Sequence, residues 1–438
     1  KKILYPRDSS LDPQLVWKGK DEQDQKDLEI PAVPVYIQEK IHPQVLIEDL
    51  RRTSAKDNPP DQTNLFADFN GIEFEDLIDF YRHEQNWSNR MILGDSLLVM
   101  NSLAEKEGLK GKVQMIYFDP PYGIRFGSNW QVSTRKRDIK DGKAEDLTRQ
   151  PEQIRAFRDT WELGIHSYLA YLRDRLVIAR ELLTETGSVF VQIGDENVHL
   201  VRCLMDEVMG SENFVSLIVL KKSGTTPSKQ IANVSDYLLW YAKSKDVVKF
   251  RRLFWEKNYD VYPQKDENGE SFSYGDLQSA GETKAAQRFV FEGNEYVPRL
   301  GYHWSTSVDG LERLSTATRI KLIGNSLRYK RYLKDFPQTE ITHVWDDLAG
   351  IAGIIYVVQT PNRIIERCLL MTTDPGDLVI DPTCGSGTTA YVAEQWGRRW
   401  ITLDTSRVAL ALARTRLMSA KYPYYILSDS PEGIEKEA

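Results

Sequence analysis

Short apolar runs, each followed by a turn and then a helical pattern, recur along this chain and restrict it to an α/β fold. Met91-Ile92-Leu93-Gly94-Asp95 is the first such strand, and Ser96 to Leu103 reads as the helix behind it. Val113 to Phe118 is the second strand, ending at Asp119-Pro120-Pro121-Tyr122. Apolar spacing predicts a helix from about Ser167 to Thr184 and a strand from Ser188 to Ile193. The rhythm then breaks and later returns. Asp377 to Asp381 reads as a strand, Thr388 to Gln395 as a helix, Trp400 to Asp404 as a strand and Ser406 to Leu417 as a helix. Such alternation is the signature of a parallel, doubly wound sheet.

The break gives the domain plan. Residues 249–345 are rich in aromatic, basic and polar side chains, with loop signals such as Asp266-Glu267-Asn268-Gly269. They read as an insert that splits one α/β domain into halves at 76–248 and 346–425. Residues 1–75 are polar, with clusters such as Asp21-Glu22-Gln23-Asp24 and Asn58-Pro59-Pro60-Asp61, and read as an amino-terminal arm or wrapping extension. Within them, Gln44 to Leu50 forms a helix-like patch and Thr53 to Asn70 reads as linker; residues 426–438 form an acidic tail. A length of 438 residues suits two to three folding units. No apolar run approaches the roughly 18 to 20 residues needed to span a bilayer, and Lys1 to Pro6 lack the apolar stretch of a signal peptide. The three cysteines, Cys203, Cys368 and Cys384, are far apart, so neither a disulfide scaffold nor a Cys-based zinc site is expected, and a cytoplasmic setting is. A net charge of −7 argues against indiscriminate polyanion binding, although a local basic face can still set affinity for nucleic acid.

Two turns carry the chemistry. Asp381-Pro382-Thr383-Cys384-Gly385-Ser386-Gly387-Thr388-Thr389 places glycines between strand and helix, where a ligand approaches the backbone and the helix start suits an anion. Asp404 ends the next strand, where an acidic residue binds a ribose diol. The turn has no Gly-Lys-Ser/Thr ending, which disfavours a nucleotide triphosphatase. Taken alone it could be only a tight structural turn. In the second turn, Asp119-Pro120-Pro121-Tyr122, two prolines force a rigid extended path at the carboxyl edge of the sheet. The arrangement suits a planar amine: Asp119 and the Pro120 carbonyl accept its two hydrogens, and Tyr122 stacks on its ring. The alternative is a Pro-Pro loop with a surface tyrosine. Cys384 reads as a small residue packed in the turn, since no partner histidine is near in sequence. His42, His83, His166, His199, His303 and His343 show no metal-ligand spacing.

Together, Asp-Pro-Pro-Tyr and Asp-Pro-Thr-Cys-Gly-Ser-Gly-Thr-Thr resemble the S-adenosylmethionine-dependent amino methyltransferases of DNA, in the permuted order where the catalytic motif precedes the cofactor motif. The resemblance covers about residues 75 to 425 and looks closest to modification subunits of type III restriction systems and their solitary relatives. It implies a Rossmann-like methyltransferase sheet with an inserted target-recognition region. It also implies Asp119, Pro120, Pro121 and Tyr122 as the catalytic set. The implied cofactor set is Asp95, Phe118, Gln359, Thr360, Asp381, Pro382, Cys384, Gly385, Gly387, Thr388, Thr389 and Asp404. Within it, Gly94-Asp95 looks like the strand-end acid that contacts the cofactor's adenine. Gln359-Thr360-Pro361 resembles the family's Thr-Gln-Lys-Pro motif, but departs from its order and lacks its lysine. The target base would be flipped out of the duplex, because its amino group cannot be reached inside the stack.

Two basic stretches are candidates for DNA contact. Arg313 to Lys334 contains Arg313, Arg319, Lys321, Arg328, Lys330, Arg331 and Lys334 with no acid among them, and reads as a DNA-facing strip or a solvated helix face. Arg135, Lys136 and Arg137, with Lys140 and Lys143 nearby, follow the catalytic turn and could close over the flipped base. The resemblance implies N6-adenine methylation of duplex DNA in restriction-modification or phage defence, with a nuclease or other defence subunit and a second copy as candidate partners. N4-cytosine methylation, RNA-base methylation and a catalytically silent DNA-binding subunit are the alternatives.

Overall fold

The computed structural model describes residues 2–3, 15–33, 35, 87–120, 164–222, 231–257, 259–281, 288–348, 359–422 and 431–437. Pro121, Tyr122, Arg135, Lys136, Arg137, the 44–50 patch and the 53–70 linker lie outside the described residues. The chain divides into two compact units, Lys1–Arg251 with His343–Ala438 and Arg252–Thr342.

The first unit carries, in chain order, α1 (Lys20–Asp24), β1 (Arg90–Leu93), α2 (Ser96–Glu105), β2 (Val113–Phe118), α3 (Ile165–Leu182), β3 (Leu183–Gly194), α4 (Val198–Met209), β4 (Phe214–Lys221) and β5 (Ser235–Ala242). The second unit contributes β6 (Gln264–Lys265), β7 (Ser271–Asp276), α5 (Val308–Thr316), β8 (Ile320–Ile323) and β9 (Ser326–Tyr332), besides further strands of three residues each. The first unit resumes with β10 (Val344–Trp345), α6 (Asn362–Thr372), β11 (Leu378–Asp381), α7 (Thr388–Gln395), β12 (Arg399–Asp404) and α8 (Arg407–Ser419).

One eight-stranded sheet organises the first unit, in the order β10-β4-β5-β3-β2-β11-β12-β1. Only β5 runs antiparallel to its neighbours, β3 and β4; the remaining pairs are parallel. The two halves of the sequence therefore share one sheet, with β2 from the first beside β11 from the second. Every residue of β2 and of β11 is buried, which requires cover on both faces of the sheet and explains their unbroken apolar character. Ile116 and Phe118 face the cluster formed with Leu172 and Leu176 of α3 and Met100 and Leu103 of α2. Tyr117 points the other way and donates to Gln192 Oε1 at 2.5 Å. The centre of the order, where β2 meets β11, is the topological switch point at which ligands of open α/β sheets bind.

Part of the amino-terminal extension belongs to this unit. Trp17 and Ile30 lie in its core. Lys20, 1% exposed, pairs with Glu207 of α4 at 2.6 Å, and Asp24 pairs with Arg173 of α3 at 3.1 Å. Such charges enter a core only with partners.

The second unit has a small core of its own, including Leu277, Phe289, Trp304, Leu311, Ile320 and Leu327. Its four-stranded sheet runs β8-β9-β7-β6, all antiparallel. Here the basic stretch 313–334 is not one strip, which corrects the expectation above. Register puts Lys321, Arg328, Lys330, Tyr274 and Phe272 on one face, because Lys321 opposes Arg328 and Tyr274 opposes Lys330. Alternation along β9 sends Arg331 to the other face. Acids outside the stretch also neutralise it: Arg313 pairs with Asp309, Arg319 with Asp335, Arg328 with Asp276 and Lys334 with Glu270.

Candidate active site

The carboxyl ends of β1, β12, β11 and β2 bring together Asp95, Asp404, Asp381 and Asp119. Asp119 follows β2 directly and is half-buried, and Pro120 beyond it is buried. Its backbone amide donates to Thr383 Oγ1 at 2.8 Å, and its Oδ2 accepts from the Thr360 hydroxyl, also at 2.8 Å. Thr383 comes from the glycine turn and Thr360 from the segment leading into α6. The aspartate at the end of one sequence half is thus held, main chain and side chain, by two threonines of the other.

The glycine turn is built around Asp381, whose carboxylate accepts from the Thr383 amide at 2.9 Å and from the Thr383 and Thr389 hydroxyls. Burial pushes the Asp381 carboxyl up to about 6, against the pull of those hydrogen bonds. Gly385 has φ 51° and Gly387 φ 73°, the left-handed region that glycine enters without penalty. A Cβ on Gly387 would stand 2.7 Å from the Ala413 Cβ, so this glycine also lets α8 approach the turn. Arg416 of α8 completes the packing by donating to Thr388 Oγ1 at 2.9 Å and to Asn362 Oδ1 at 2.7 Å.

Asp404 lies beside the turn. Its Oδ2 accepts from the Gly385 amide at 3.0 Å and its Oδ1 from the Ser406 amide at 2.7 Å, while its carbonyl accepts from the Gly94 amide at 3.0 Å. Burial also raises its carboxyl to about 6, with the charge of Asp381 adding to the effect. Thr383, Gly385, Asp404 and Thr405 all retain some exposed surface, which makes them the open rim of the site.

Asp95 has two partners already. Its Oδ1 caps α2, accepting from the Leu97 and Leu98 amides at 2.9 and 3.3 Å, and its Oδ2 receives Arg175 at 2.5 Å. Arg175 also lies 3.4 Å from the Tyr171 ring centroid and donates to Ser96 Oγ at 2.7 Å. Sequence inspection did not single out Arg175; it sits on an amphipathic helix with nothing local to mark it.

Several expected contact residues serve the frame instead. Phe118 is 1% exposed and packs in the core under the sheet edge, so its side chain offers no surface to a ligand. Pro382, Cys384, Gly387, Thr388 and Thr389 are buried and shape the turn from within. Burial raises the Cys384 thiol well above its ordinary range, which keeps it protonated and unreactive. Thr360, expected at the cofactor, gives its hydroxyl to Asp119, while Gln359 is half-buried beside it.

Residues 113–415 match the N6/N4 family model described as DNA methylase. The type II methyltransferase M.EcaI of Enterobacter cloacae is 30% identical over 350 residues, covering 76% of this chain and 70% of that protein. The type III restriction-modification Mod subunits HindVI of Haemophilus influenzae and StyLTI of Salmonella typhimurium are 21% and 26% identical, each over 75% of this chain. The chain spans about half the length of these two subunits, 50% and 54%.

Proposed function

The chain belongs to the N6/N4 DNA methylase family, and from that premise we propose that it methylates the exocyclic N6 amino group of adenine in duplex DNA. The observation that carries this reading is the placement of Asp119 at the switch point, in contact with the glycine turn through Thr383. Asp119 and the Pro120 carbonyl would accept the two hydrogens of the flipped base's amino group, which aims the nitrogen lone pair at the methyl donor. Orientation of this kind removes a large part of the entropic barrier to a direct displacement. An aspartate rather than a serine at the head of the motif favours adenine over cytosine.

The rim residues fit S-adenosylmethionine. The part-open Asp404 carboxylate suits a ribose diol, and Gly385 has no side chain to obstruct a ligand along the turn. When bound, this donor supplies an electrophilic methyl group on a sulfonium. Asp95 would act through its capped, ion-paired carboxylate as a wall of the same site. The Tyr122 ring would stack on the base, and Arg135, Lys136 and Arg137 would border it.

Type III Mod subunits among the relatives favour a role in restriction-modification, with a nuclease subunit and a second copy of the chain as partners. Among the described residues no helix is long and apolar enough to cross a membrane, and an enzyme acting on cellular or phage DNA would work in the cytoplasm. Transfer of labelled methyl groups to duplex DNA, single-stranded DNA and RNA, followed by identification of the modified base, tests the proposal. N6-methyladenine in the duplex is the expected product. Label confined to cytosine or RNA would overturn it.

A further inference from the structure

Thr360 stands in the segment that resembles a cofactor motif, yet its geometry points elsewhere. It is 7% exposed, and its hydroxyl proton is directed to Asp119 Oδ2 at 2.8 Å. Its carbonyl accepts from the Thr388 hydroxyl at 3.4 Å, and Pro361 after it stands at the N-cap position of α6, so its main chain is held on the carboxyl side. A β-branched side chain has few rotamers, and a threonine anchored this way holds its hydroxyl in one direction. An aspartate at a strand end has two side-chain torsions to settle. The Thr383 contact holds the main chain of Asp119, and the Thr360 contact holds its carboxylate plane. With Oδ2 engaged, the direction of Oδ1 is set as well.

We propose that Thr360 is a positioning residue for methyl transfer, orienting the Asp119 carboxylate toward the amino group of the target base rather than binding the methyl donor. The proposal rests on the reading of Asp119 given above. It makes the catalytic carboxylate depend on a side chain 241 positions away, so that its geometry is complete only when both halves of the split domain are assembled.

The test compares Thr360→Val, which keeps the shape and removes the hydroxyl, with Thr360→Ser, which keeps the hydroxyl. Each is measured for single-turnover methyl transfer to genomic duplex DNA from a non-expressing host, for calorimetric affinity for S-adenosylmethionine and for DNA affinity, with Asp119→Ala as control. Thr360→Val should lower the transfer rate by about 10- to 100-fold, the effect of a misdirected reacting group, with both affinities unchanged. Thr360→Ser should restore most of the rate. A Thr360→Val enzyme at the full wild-type rate, beside an inactive Asp119→Ala, overturns the proposal alone. So does a loss of donor affinity as large as the loss of rate, which would make Thr360 a donor contact. A fully active Asp119→Ala overturns the assignment of Asp119 and the proposal with it.

Discussion

The backbone amide of Asp119 donates to the Thr383 hydroxyl at 2.8 Å across 264 positions of sequence. This one hydrogen bond joins the turn after β2 to the turn after β11, and Thr383 passes the connection on by donating to Asp381 Oδ1 at 3.3 Å. The cleft in which transfer would occur is therefore an interface between two halves of a divided sequence.

Replacing Asp119 by alanine should abolish methyl transfer and leave S-adenosylmethionine affinity nearly intact, since the carboxylate faces the base. Parallel assays of rate and calorimetric affinity check this. An affinity loss matching the rate loss would move Asp119 to the cofactor.

Asp404→Ala should weaken S-adenosylmethionine binding by about 1.5 to 3 kcal/mol, the range for a hydrogen bond to a charged group. The pH dependence has a definite sign. A carboxyl raised to about 6 is increasingly protonated below that pH, and a ribose diol favours the ionised acceptor, so affinity should rise as pH increases through about 6. Stability moves the other way. The folded state holds the Asp381 and Asp404 protons more tightly than the unfolded chain, so their contribution to stability falls as pH rises from the ordinary carboxyl range, about 4, to about 6. Titration calorimetry from acid to neutral pH, with Asp404→Asn as the variant that lacks this carboxyl, measures the first trend, and urea unfolding of both proteins over the same range measures the second, in which the Asp381 contribution persists.

Arg175→Met should cost about 1 to 2 kcal/mol of stability, because the Asp95 carboxylate loses its cation but keeps some solvent. Its exposure is 30% against 7% for Arg175. Urea unfolding gives the figure, and an unchanged midpoint would mean that helix capping alone satisfies Asp95.

Gly387→Ala should destabilise by about 2 to 4 kcal/mol, combining a left-handed backbone with overpacking against Ala413. Gly397, at φ 68° with open space where a Cβ would stand, isolates the backbone part of that cost. Thermal unfolding of the two alanine variants separates the terms.

In the second unit, the face bearing Lys321 and Lys330 carries the basic contribution that the acids do not match. Substituting both by alanine should weaken binding to all duplexes alike and flatten the salt dependence of log affinity by roughly one unit per lost phosphate contact. Arg331→Ala, on the opposite face, should have a separate and smaller effect. Isotherms at several salt concentrations decide it; equal effects from both variants would contradict the two-faced arrangement.

The sequence by itself determined the elements and their chemistry. Val113–Phe118 and Thr388–Gln395 are found as the apolar patterns describe them, because an unbroken buried strand and a helix entered through glycines are specified by neighbours in the chain. The acids at the strand ends were legible for the same reason: each follows a recognisable apolar run. Tertiary structure alone decided how these pieces meet. The partnership of Thr360 with Asp119, the Arg175 cation beside Asp95, the burial of Phe118 and the entry of Trp17 into the core depend on contacts between distant segments. The basic stretch shows why such features are illegible locally. Seven cations in sequence look like one surface, but only four of them lie on strands, where the period of two turns Arg331 away from Lys321, Arg328 and Lys330, and register sets Asp276 opposite Arg328.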